Sequence, residues 1–281
     1  MGSRAALRTE AGATGAVAAR PPLKWAGGKR WQVPHVLPYW RAADTRRLVE
    51  PFAGGLSIAL SLMPKRALLN DVNPNLINFY RHLKAGLVVD EKFENKERAY
   101  YRNRARFNGL LKAGKGDTPE AAWLFYYLNR TGYNGLCRFN GSGEFNVPFG
   151  RYATIGYKYD FTEYEAVFAN WNFTNLGFCD VELEPDDFVY ADPPYDVEFT
   201  AYSKGGFDWD DQEATARWLA RHPGPVILSN QATGRIMSLY RGLGFLTATF
   251  QAPRRISCTG DRSPALEVLA TRNLSGRALE G

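Results

Sequence analysis

Short apolar runs that end at an acid or at a glycine turn recur along the chain and predict strands of a buried parallel sheet. The run at 188–191 stops at Asp192, because the prolines that follow cannot donate to a sheet ladder. Further extended segments are predicted from residue 47, at 66–70, 172–178 and 226–229, and as an antiparallel edge pair at 245–250 and 265–270. The carboxyl ends of the parallel strands are where open α/β sheets place their ligands.

Apolar residues at three- and four-residue spacing predict helices between these strands. Helices are expected at 57–63, 74–83, 92–115, 120–129, 164–171 and 209–221. Their alternation with strands implies a doubly wound α/β sheet. The helix at 92–115 stands apart because it carries eight Lys or Arg residues, with Tyr100, Phe107 and Leu111 at helical spacing. It is either a solvated helix face or a surface for phosphates.

Length and composition fit one catalytic domain with an inserted piece, since 281 residues with 45% hydrophobic content can bury one large core. The formal charge of +6 favours a polyanionic partner, although a solvated basic surface gives the same value. Residues 1–20 lack a hydrophobic signal region, and we expect a disordered leader there. No stretch is apolar and long enough to cross a bilayer, so the protein is not expected at a membrane.

Cysteine and histidine usage argues against a disulfide framework and against a metal site. The three cysteines, Cys137, Cys179 and Cys258, are odd in number and widely spaced, which suits a reducing cytoplasm. The three histidines share no ligand spacing with them. We therefore expect no metal.

The segment Asp192-Pro193-Pro194-Tyr195 carries the strongest chemical signal. The two prolines fix the backbone, so that the Asp192 carboxylate, the Pro193 carbonyl and the Tyr195 ring can converge on one planar group. Two acceptors and a stacking face suit a ring that bears an amine. Such a segment has no task in hydride transfer, which disfavours an NAD oxidoreductase. The alternative is an ordinary turn at the end of a strand.

Two glycine-rich segments indicate a nucleotide ligand. Gly27 and Gly28 lie within 23–30 beside a Trp and two cations, and they either allow close approach to a ligand or open the helix that follows. The glycine turn at 53–55 closes a first βα unit. Asp71 then ends the next strand, where it can accept from ribose hydroxyls or cap the helix at 74–83.

The loop at 130–152 is rich in Gly, Asn and aromatic residues and has scarcely any acid. Aromatic rings between arginines suit stacking on bases with phosphate contacts alongside. Cys137 lies within it and is expected to pack rather than to act as a nucleophile. A second basic segment at 254–262 is expected to form a hairpin tip that grips phosphates.

The order of these motifs resembles the Dam-type DNA adenine N6-methyltransferases of the D12 class, over residues 21–273. The match is carried by L-K-W-A-G-G-K, the glycine turn, the loop N-R-T-G-Y-N-G-L-C-R-F-N-G and D-P-P-Y. The resemblance implies a class I, Rossmann-like methyltransferase fold, S-adenosylmethionine as cofactor and double-stranded DNA as partner. It also implies a catalytic domain at 21–84 and 160–274, with a mostly helical DNA target-recognition insertion at 85–159.

The resemblance also assigns site residues. Its catalytic residues are Asp192, Pro193, Pro194 and Tyr195. Its S-adenosylmethionine-binding residues are Trp25, Lys29, Phe52, Gly54, Asp71 and Asp192. Its DNA-contacting residues are Lys24, Arg130, Tyr133, Asn134, Leu136, Arg138 and Pro148.

The loop matches relatives that recognise GATC, and this implies methylation of the adenine in that sequence. By the same resemblance, Tyr133 inserts into the duplex, Asn134 touches phosphate, and Arg138 pairs with guanine. One departure is Leu56, which stands where the family has a second spaced glycine. We expect Gly55 to supply the conformational freedom that Leu56 removes.

Two other classes of function fit the same residues. One is a methyltransferase acting on cytosine N4, RNA or a protein amide, because related tetrapeptides serve any planar amine. The other is a non-catalytic DNA-binding protein. The resemblance further implies a cytoplasmic monomer, encoded by a bacterium or a phage, and leaves open a cognate restriction endonuclease as partner.

Overall fold

The apolar runs form one sheet in the computed structural model, which describes residues 19–43, 47–196, 207–252 and 265–274. Its strands are β1 (Leu48–Glu50), β2 (Ala67–Asn70), β3 (Trp171–Thr174), β4 (Phe188–Ala191), β5 (Val226–Gln231), β6 (Leu246–Ala252) and β7 (Ala265–Arg272). Every strand predicted from the sequence is present, and β3 is shorter than the predicted extended segment.

The strand order is β3-β2-β1-β4-β5-β7-β6. Strands β1 to β5 pair in parallel, whereas β7 runs antiparallel between β5 and β6. The order reverses between β1 and β4, so the ends of these two strands form the crevice in which a doubly wound sheet binds its ligand. This confirms the class I, Rossmann-like methyltransferase fold.

Helices cover both faces of the sheet. They are α1 (Val33–Ala42), α2 (Ala59–Leu62), α3 (Pro74–Lys84), α4 (Glu97–Lys112), α5 (Pro119–Thr131), α6 (Glu163–Phe168), α7 (Trp209–Ala220) and α8 (Gly234–Gly242). α2 and α4 are shorter than predicted. α8 was not predicted, and its first turn is capped by Thr233, whose hydroxyl accepts from the Ile236 amide at 3.3 Å.

Strand β4 shows why the sheet needs cover on both sides, since all four of its residues are buried. Phe188 and Tyr190 point to the side of the core that contains α1, where the Phe188 ring lies 5.4 Å from that of Trp40, whereas Val189 and Ala191 point to the side covered by α7 and α8. This alternation follows from the two-residue period of a strand. β4 is therefore packed on both of its faces.

Helices α4 and α5 lie between α3 and α6 in the chain, in the predicted insertion. Two backbone hydrogen bonds close the base of this segment, from the Val89 amide to the Tyr159 carbonyl (2.8 Å) and from the Phe161 amide to the Leu87 carbonyl (3.0 Å). α5 packs on α3, where the Phe79 and Tyr126 rings stack with centroids 5.8 Å apart. The inserted helices therefore share one core with the sheet.

Two predicted segments fall wholly or mostly outside the described residues: the leader at 1–20, apart from its last two residues, and the basic hairpin tip at 254–262. The predicted disordered leader extends too far at its end. Ala19 is buried, and the Arg20 carbonyl accepts a hydrogen bond from the Tyr164 hydroxyl. Among the helices of the described ranges, none has the length and hydropathy of a membrane span.

Candidate active site and DNA-recognition surface

Asp192 follows β4 directly and lies at the crevice edge of the sheet. One carboxylate oxygen, Oδ2, is 3.0 Å from the Lys29 ammonium. The other, Oδ1, is buried and has no hydrogen-bond partner among the described residues. An unsatisfied buried acceptor is costly, so Oδ1 is suited to a donor that a ligand brings.

Burial raises the pKa of Asp192 to about 6, and the nearby Lys29 ammonium opposes this rise. The carboxylate is therefore a stronger base than an ordinary aspartate and still ionised near neutral pH. This combination suits a group that accepts hydrogen bonds first and a proton later.

Lys29 comes from the glycine-rich block, residues 23–30, and is only 5% exposed to solvent. Its ammonium donates to the Gly27 carbonyl at 2.7 Å and lies 4.5 Å from the centroid of the Tyr195 ring. Gly27 has a φ of +78°, a conformation that favours glycine. The structure thus brings the glycine-rich block against the D-P-P-Y segment.

Tyr195 is fixed through its hydroxyl, which donates to Glu267 Oε2 at 2.6 Å and lies 3.2 Å from Ser229 Oγ. Gln32 donates to both of these groups, at 2.8 Å to Ser229 and 3.2 Å to Glu267. The Tyr190 hydroxyl in turn donates to Gln32 at 2.6 Å. This buried network holds the Tyr195 ring in one orientation, which suits a stacking face.

The backbone around the two prolines is also held from outside. The Pro194 carbonyl accepts from the Gln212 side chain at 2.7 Å. Asp196 is buried and accepts from Arg235 through both oxygens and from Thr233. These contacts from α7 and from the start of α8 hold both sides of Tyr195 in place.

The turn after β1 lies against the Trp25 side chain. A Cβ added to Gly54 would lie 2.8 Å from Trp25 Nε1, and one added to Gly55 would lie 2.7 Å from Trp25 Cβ. Only glycine allows so close an approach. The Gly54 amide also donates to Asp71 at 3.0 Å.

Leu56 itself adopts a φ of 57° and is fully buried. The expectation that Gly55 would supply the missing freedom is therefore wrong, since Gly55 does not have a positive φ. The leucine at the family's glycine position therefore adopts the left-handed backbone itself, and burial of its side chain offsets the strain.

Asp71 directly follows β2 and accepts from two backbone amides, those of Gly54 (3.0 Å) and Asn73 (2.9 Å). The cap of α3 is Asn73, whose side chain accepts from the Asn75 and Leu76 amides. The alternative that Asp71 caps this helix is thus wrong. Burial raises the pKa of Asp71, and its remaining lone pairs are available to a diol.

Apolar side chains adjoin these polar groups. The Phe52 ring lies 5.6 Å from the rings of Phe178 and Phe207. Val72, next to Asp71, is 77% exposed. An acid with free lone pairs beside aromatic and aliphatic surface suits a nucleoside, which carries a ribose diol and a flat ring.

Glu50 was not singled out from the sequence, although it too is an acid at the end of a strand. It is 3% exposed, and its Oε1 has no hydrogen-bond partner among the described residues. Burial raises the pKa of Glu50 to about 8, and the charge of Asp192 adds to this effect. Two neighbouring acids with unpartnered oxygens suit a cationic ligand, and S-adenosylmethionine carries a sulfonium and an ammonium group. The described residues include no group of His, Cys, Asp and Glu arranged to hold a metal ion.

The predicted DNA-reading loop folds back on itself. The Tyr133 amide donates to the Pro148 carbonyl at 2.9 Å, which places these two residues side by side. Tyr133 is 49% exposed, and Asn134 has a φ of 52° at the tip of a short helical turn. The loop therefore presents an aromatic ring to solvent from a constrained turn.

Arg138 is exposed on the same loop, and its Nε donates to the Asn146 side chain at 2.7 Å. Leu136 is partly buried against the core. The Cys137 thiol accepts from the Asn73 side chain at 3.3 Å, and burial raises its pKa to about 12. These contacts fit the packing role expected for Cys137, because a thiol with so high a pKa is a weak nucleophile.

Lys24 and Arg130 lie deeper than free phosphate-binding cations would. The Lys24 ammonium donates to the Arg130 carbonyl at 3.0 Å and lies 3.5 Å from the Tyr152 ring centroid. Burial and the Arg130 charge lower the pKa of Lys24 to about 8. The Asn129 side chain also bonds both backbone groups of Lys24. Lys24 thus fastens the glycine-rich block to the loop.

Helix α4 is less open to phosphates than its charge suggests. Arg106 pairs with Glu91 and Glu120, and Lys112 pairs with Glu144. Arg104 donates to a loop carbonyl. The acids come from outside the helix, so the sequence of the helix alone overstated its free positive charge.

The family model for the D12 class N6 adenine-specific DNA methyltransferases matches residues 25–252. That match covers well over half of the chain and includes the glycine-rich block, the loop and D-P-P-Y.

Three proteins from different settings are similar over much of their length. The retron Ec67 DNA adenine methylase of Escherichia coli is 36% identical, over 88% of this chain and 90% of that protein. The DNA adenine methylase of Vibrio cholerae serotype O1 is also 36% identical, over 91% of this chain and 98% of that protein. The Type II methyltransferase M1.LlaDCHI of Lactococcus lactis is 34% identical, over 69% and 73% respectively.

Proposed function

Because the chain belongs to the D12 class N6 adenine-specific DNA methyltransferase family, we propose that this adenine-specific DNA methyltransferase modifies the adenine of GATC after flipping that base out of the duplex. The observation that supports a flipped amine in the site is the buried, unpartnered Oδ1 of Asp192. It lies beside a fixed aromatic ring.

The chemistry requires an acceptor in this position. The N6 lone pair of adenine is delocalised into the ring, so the amine is a weak nucleophile. Hydrogen bonds from N6 to Asp192 Oδ1 and to the Pro193 carbonyl favour a tetrahedral nitrogen with a localised lone pair. Because β4 is packed on both of its faces, these acceptors are in place before reaction, and this is the main source of transition-state stabilisation.

The cofactor residues keep the roles expected from their positions. Asp71 takes the ribose hydroxyls, Phe52 and Trp25 flank the nucleoside, and Glu50 offers a buried acceptor to the ammonium of the amino acid portion, whose charge would favour ionisation of this carboxyl. When bound, S-adenosylmethionine supplies an electrophilic methyl group on a sulfonium. Gly54 lets the chain approach this ligand closely.

Asp192 also receives the proton. Transfer of a methyl group to N6 leaves the nitrogen with one proton too many, and the nearest base is the Asp192 carboxylate. Its pKa of about 6 is closer to neutral pH than the pKa of an ordinary aspartate, and this makes the carboxylate a more efficient base. The Lys29 ammonium keeps it ionised until then.

A base within a duplex cannot reach a carboxylate that is largely shielded from solvent at the end of β4. The adenine must therefore leave the stack and enter the site beside the Tyr195 ring. Tyr133 is exposed on the loop and is the group proposed to fill the gap.

We assign target recognition to the inserted segment, 85–159. Arg138 is exposed and held by Asn146, so its planar guanidinium can present two donors to guanine. Pro148 lies next to Tyr133, and Leu136 lies between Tyr133 and Arg138 in the chain. Their order and spacing follow the family pattern that the sequence resembles, and this resemblance is the ground for proposing GATC.

The first test is transfer of a tritiated methyl group from labelled S-adenosylmethionine to DNA, RNA and protein, followed by nucleoside analysis. We expect label in N6-methyladenine from duplex DNA. Label in N4-methylcytosine, RNA or protein would contradict the proposed substrate. DNA binding without transfer would indicate a non-catalytic protein.

The second test is methylation of a duplex library with single-base variants of GATC, read by sequencing, for wild type and Arg138→Ala. Loss of a bidentate contact should reduce discrimination by about 1 to 3 kcal/mol at one base pair and its palindromic mate. A different preferred sequence would overturn GATC. An Arg138→Ala effect of equal size on every duplex would show that the loop does not read bases.

The biological setting remains a proposal that the relatives motivate. We propose a cytoplasmic monomer that acts on bacterial or phage DNA, and light scattering of the purified protein tests the oligomeric state. One similar protein is a Type II methyltransferase, so a cognate restriction endonuclease is a partner worth seeking. An endonuclease whose cleavage of unmodified DNA is blocked by this methylation would identify it.

A further inference from the structure

One face of α4 is bonded to the loop along its length. The residues on this face occur at four-residue spacing and so lie one above another on the helix. They are Tyr100, Arg104, Asn108 and Lys112, here called the α4 stripe. The stripe meets residues 144–147, the segment that immediately precedes Pro148.

The bonds of the α4 stripe run in register with the loop. The Tyr100 hydroxyl and Arg104 Nη1 both donate to the Val147 carbonyl, at 2.8 and 3.0 Å. Asn108 donates to the Phe145 carbonyl at 3.1 Å and accepts from the Phe145 amide at 2.9 Å. Asn108 thus satisfies both backbone groups of one residue, as a neighbouring strand would.

Apolar packing reinforces the same contact. Phe145 and Val147 are buried, at 1% and 0% exposure, and Tyr100 is fully buried. The Phe145 ring packs edge-on against Phe107 of α4 at 6.1 Å and against Phe139 of the loop at 5.5 Å. Such a segment cannot slide along the helix without losing both its hydrogen bonds and its burial.

The opposite side of this loop segment holds Arg138. The Asn146 amide donates to the Arg138 carbonyl at 3.1 Å, and the Asn146 side chain accepts from Arg138 Nε. Phe145 and Val147 face α4, and Asn146 lies between them in the chain. The position of the Arg138 guanidinium is therefore set by the position of residues 145–147.

We infer that the α4 stripe determines sequence selection by fixing the register of the loop, with Asn108 as the chief positioning residue. This inference rests on the proposed function, in which Arg138 and Pro148 read the bases. A one-residue slip of an extended segment turns its side chains to the other face. The α4 stripe prevents that slip, and its polar residues act through the loop rather than through phosphates.

The test compares Asn108→Ala and Arg104→Gln with Arg98→Ala, a variant of an exposed residue on the same helix. The readout is the ratio of kcat/KM on the preferred duplex to that on single-base variants. We expect Asn108→Ala and Arg104→Gln to lower this ratio about tenfold, as for one weakened base contact, with the salt dependence of DNA binding unchanged. Arg98→Ala should leave the ratio unchanged.

An unchanged ratio in Asn108→Ala, together with a salt slope reduced by about one unit in Arg104→Gln, would overturn the inference and make α4 a phosphate-binding face. Hydrogen exchange of the Phe145 amide in the free protein adds a readout independent of DNA, and it should quicken in Asn108→Ala while thermal unfolding stays cooperative. Unchanged exchange would also overturn the inference. If the wild-type protein prefers a sequence other than GATC, the proposed target is wrong but this inference is still tested. The reason is that the ratio is measured relative to whichever duplex the protein prefers.

Discussion

The Lys29 ammonium lies 3.0 Å from the Asp192 carboxylate, and this ion pair joins the glycine-rich block near the start of the chain to the segment after β4. Both side chains are largely shielded from solvent, at 6% and 19% exposure. A cation in this place stabilises the ionised aspartate in a site that otherwise favours the neutral acid. The glycine-rich segment at 23–30 therefore stabilises the ionised form of the proposed catalytic aspartate and also lies at the expected cofactor site.

The pair predicts how activity responds to pH. Asp192 must be ionised to accept from the amine, and its pKa is about 6, so kcat/KM should fall as pH falls through about 6. Lys29→Met removes the charge that lowers this pKa, so the acid limb should move to higher pH. The measurement is kcat/KM for methyl transfer between pH 5 and 8 in wild type and variant.

Lys29→Arg serves as the control for this prediction, since it keeps the positive charge. Its acid limb should stay near that of wild type even if its turnover is lower. If kcat/KM of Lys29→Met is lower at every pH but its acid limb does not move, Lys29 does not set the pKa of Asp192 and contributes only to ligand binding.

Asp71 and Asn73 offer a second contrast, because they are neighbours with different tasks. Asp71→Ala should raise the dissociation constant of S-adenosylmethionine by about tenfold or more, as for a lost charge-assisted hydrogen bond. Asn73→Ala should instead lower the free energy of unfolding by about 1 kcal/mol, the cost of a lost helix cap. Calorimetry and denaturant unfolding of both variants test the contrast. The same change in affinity for both variants would contradict a separate ligand role for Asp71.

The hydroxyl and the ring of Tyr195 should contribute separately. Tyr195→Phe keeps the ring but removes one of two donors to Glu267, so we expect a free energy of unfolding lower by about 0.5 to 1.5 kcal/mol, as for one lost hydrogen bond. Tyr195→Ala also removes the stacking face, at a further cost of about 1 to 3 kcal/mol in kcat/KM. Steady-state kinetics and denaturant unfolding give both values. Equal kcat/KM for the two variants would show that the ring does not hold the base.

Glu50 predicts a pH-dependent stability in the absence of cofactor. Its pKa is raised from 4.5 to about 8 in the folded protein, so the folded state binds more protons than the unfolded state between these values. The contribution of Glu50 to the free energy of unfolding should therefore be greatest below about pH 4.5, and it should be lost as pH rises towards 8. Glu50→Gln should be less sensitive to pH.

The measurement for Glu50 is thermal unfolding of wild type and Glu50→Gln between pH 6.5 and 8. The difference in melting temperature between the two proteins should grow in favour of the variant as pH rises. Parallel curves would show that Glu50 does not titrate in this range.

The fold was largely predictable because its signals are local. Each buried strand is a short apolar run, and D-P-P-Y marks the end of β4 without reference to the rest of the chain. The helix α8 was missed because a glycine lies at each end and its cap, Thr233, lies outside the apolar pattern. Similarly, Leu56 gave no local sign that it would adopt a positive φ, since burial of its side chain decides that outcome.

The parts of the site that depend on distant partners were not predictable. Gln32 and Glu267 meet at the Tyr195 hydroxyl from opposite ends of the chain, and no spacing connects them. Likewise, the charges of α4 are neutralised by acids outside the helix, such as Glu144. Glu50 could have been predicted as a site residue, because the sequence places an acid at the end of a predicted strand there, as it does for Asp192.

The most direct measurement is mass spectrometry of nucleosides from a short duplex with one GATC site, after incubation with S-adenosylmethionine and either wild type or Asp192→Asn. Wild type should convert the adenine of that site to N6-methyladenine. Asp192→Asn should do so more slowly by about 100-fold or more, because it weakens an acceptor that acts mainly in the transition state, while still binding cofactor and duplex. Near-normal turnover by Asp192→Asn, or methylation of a base other than this adenine by wild type, would contradict the account.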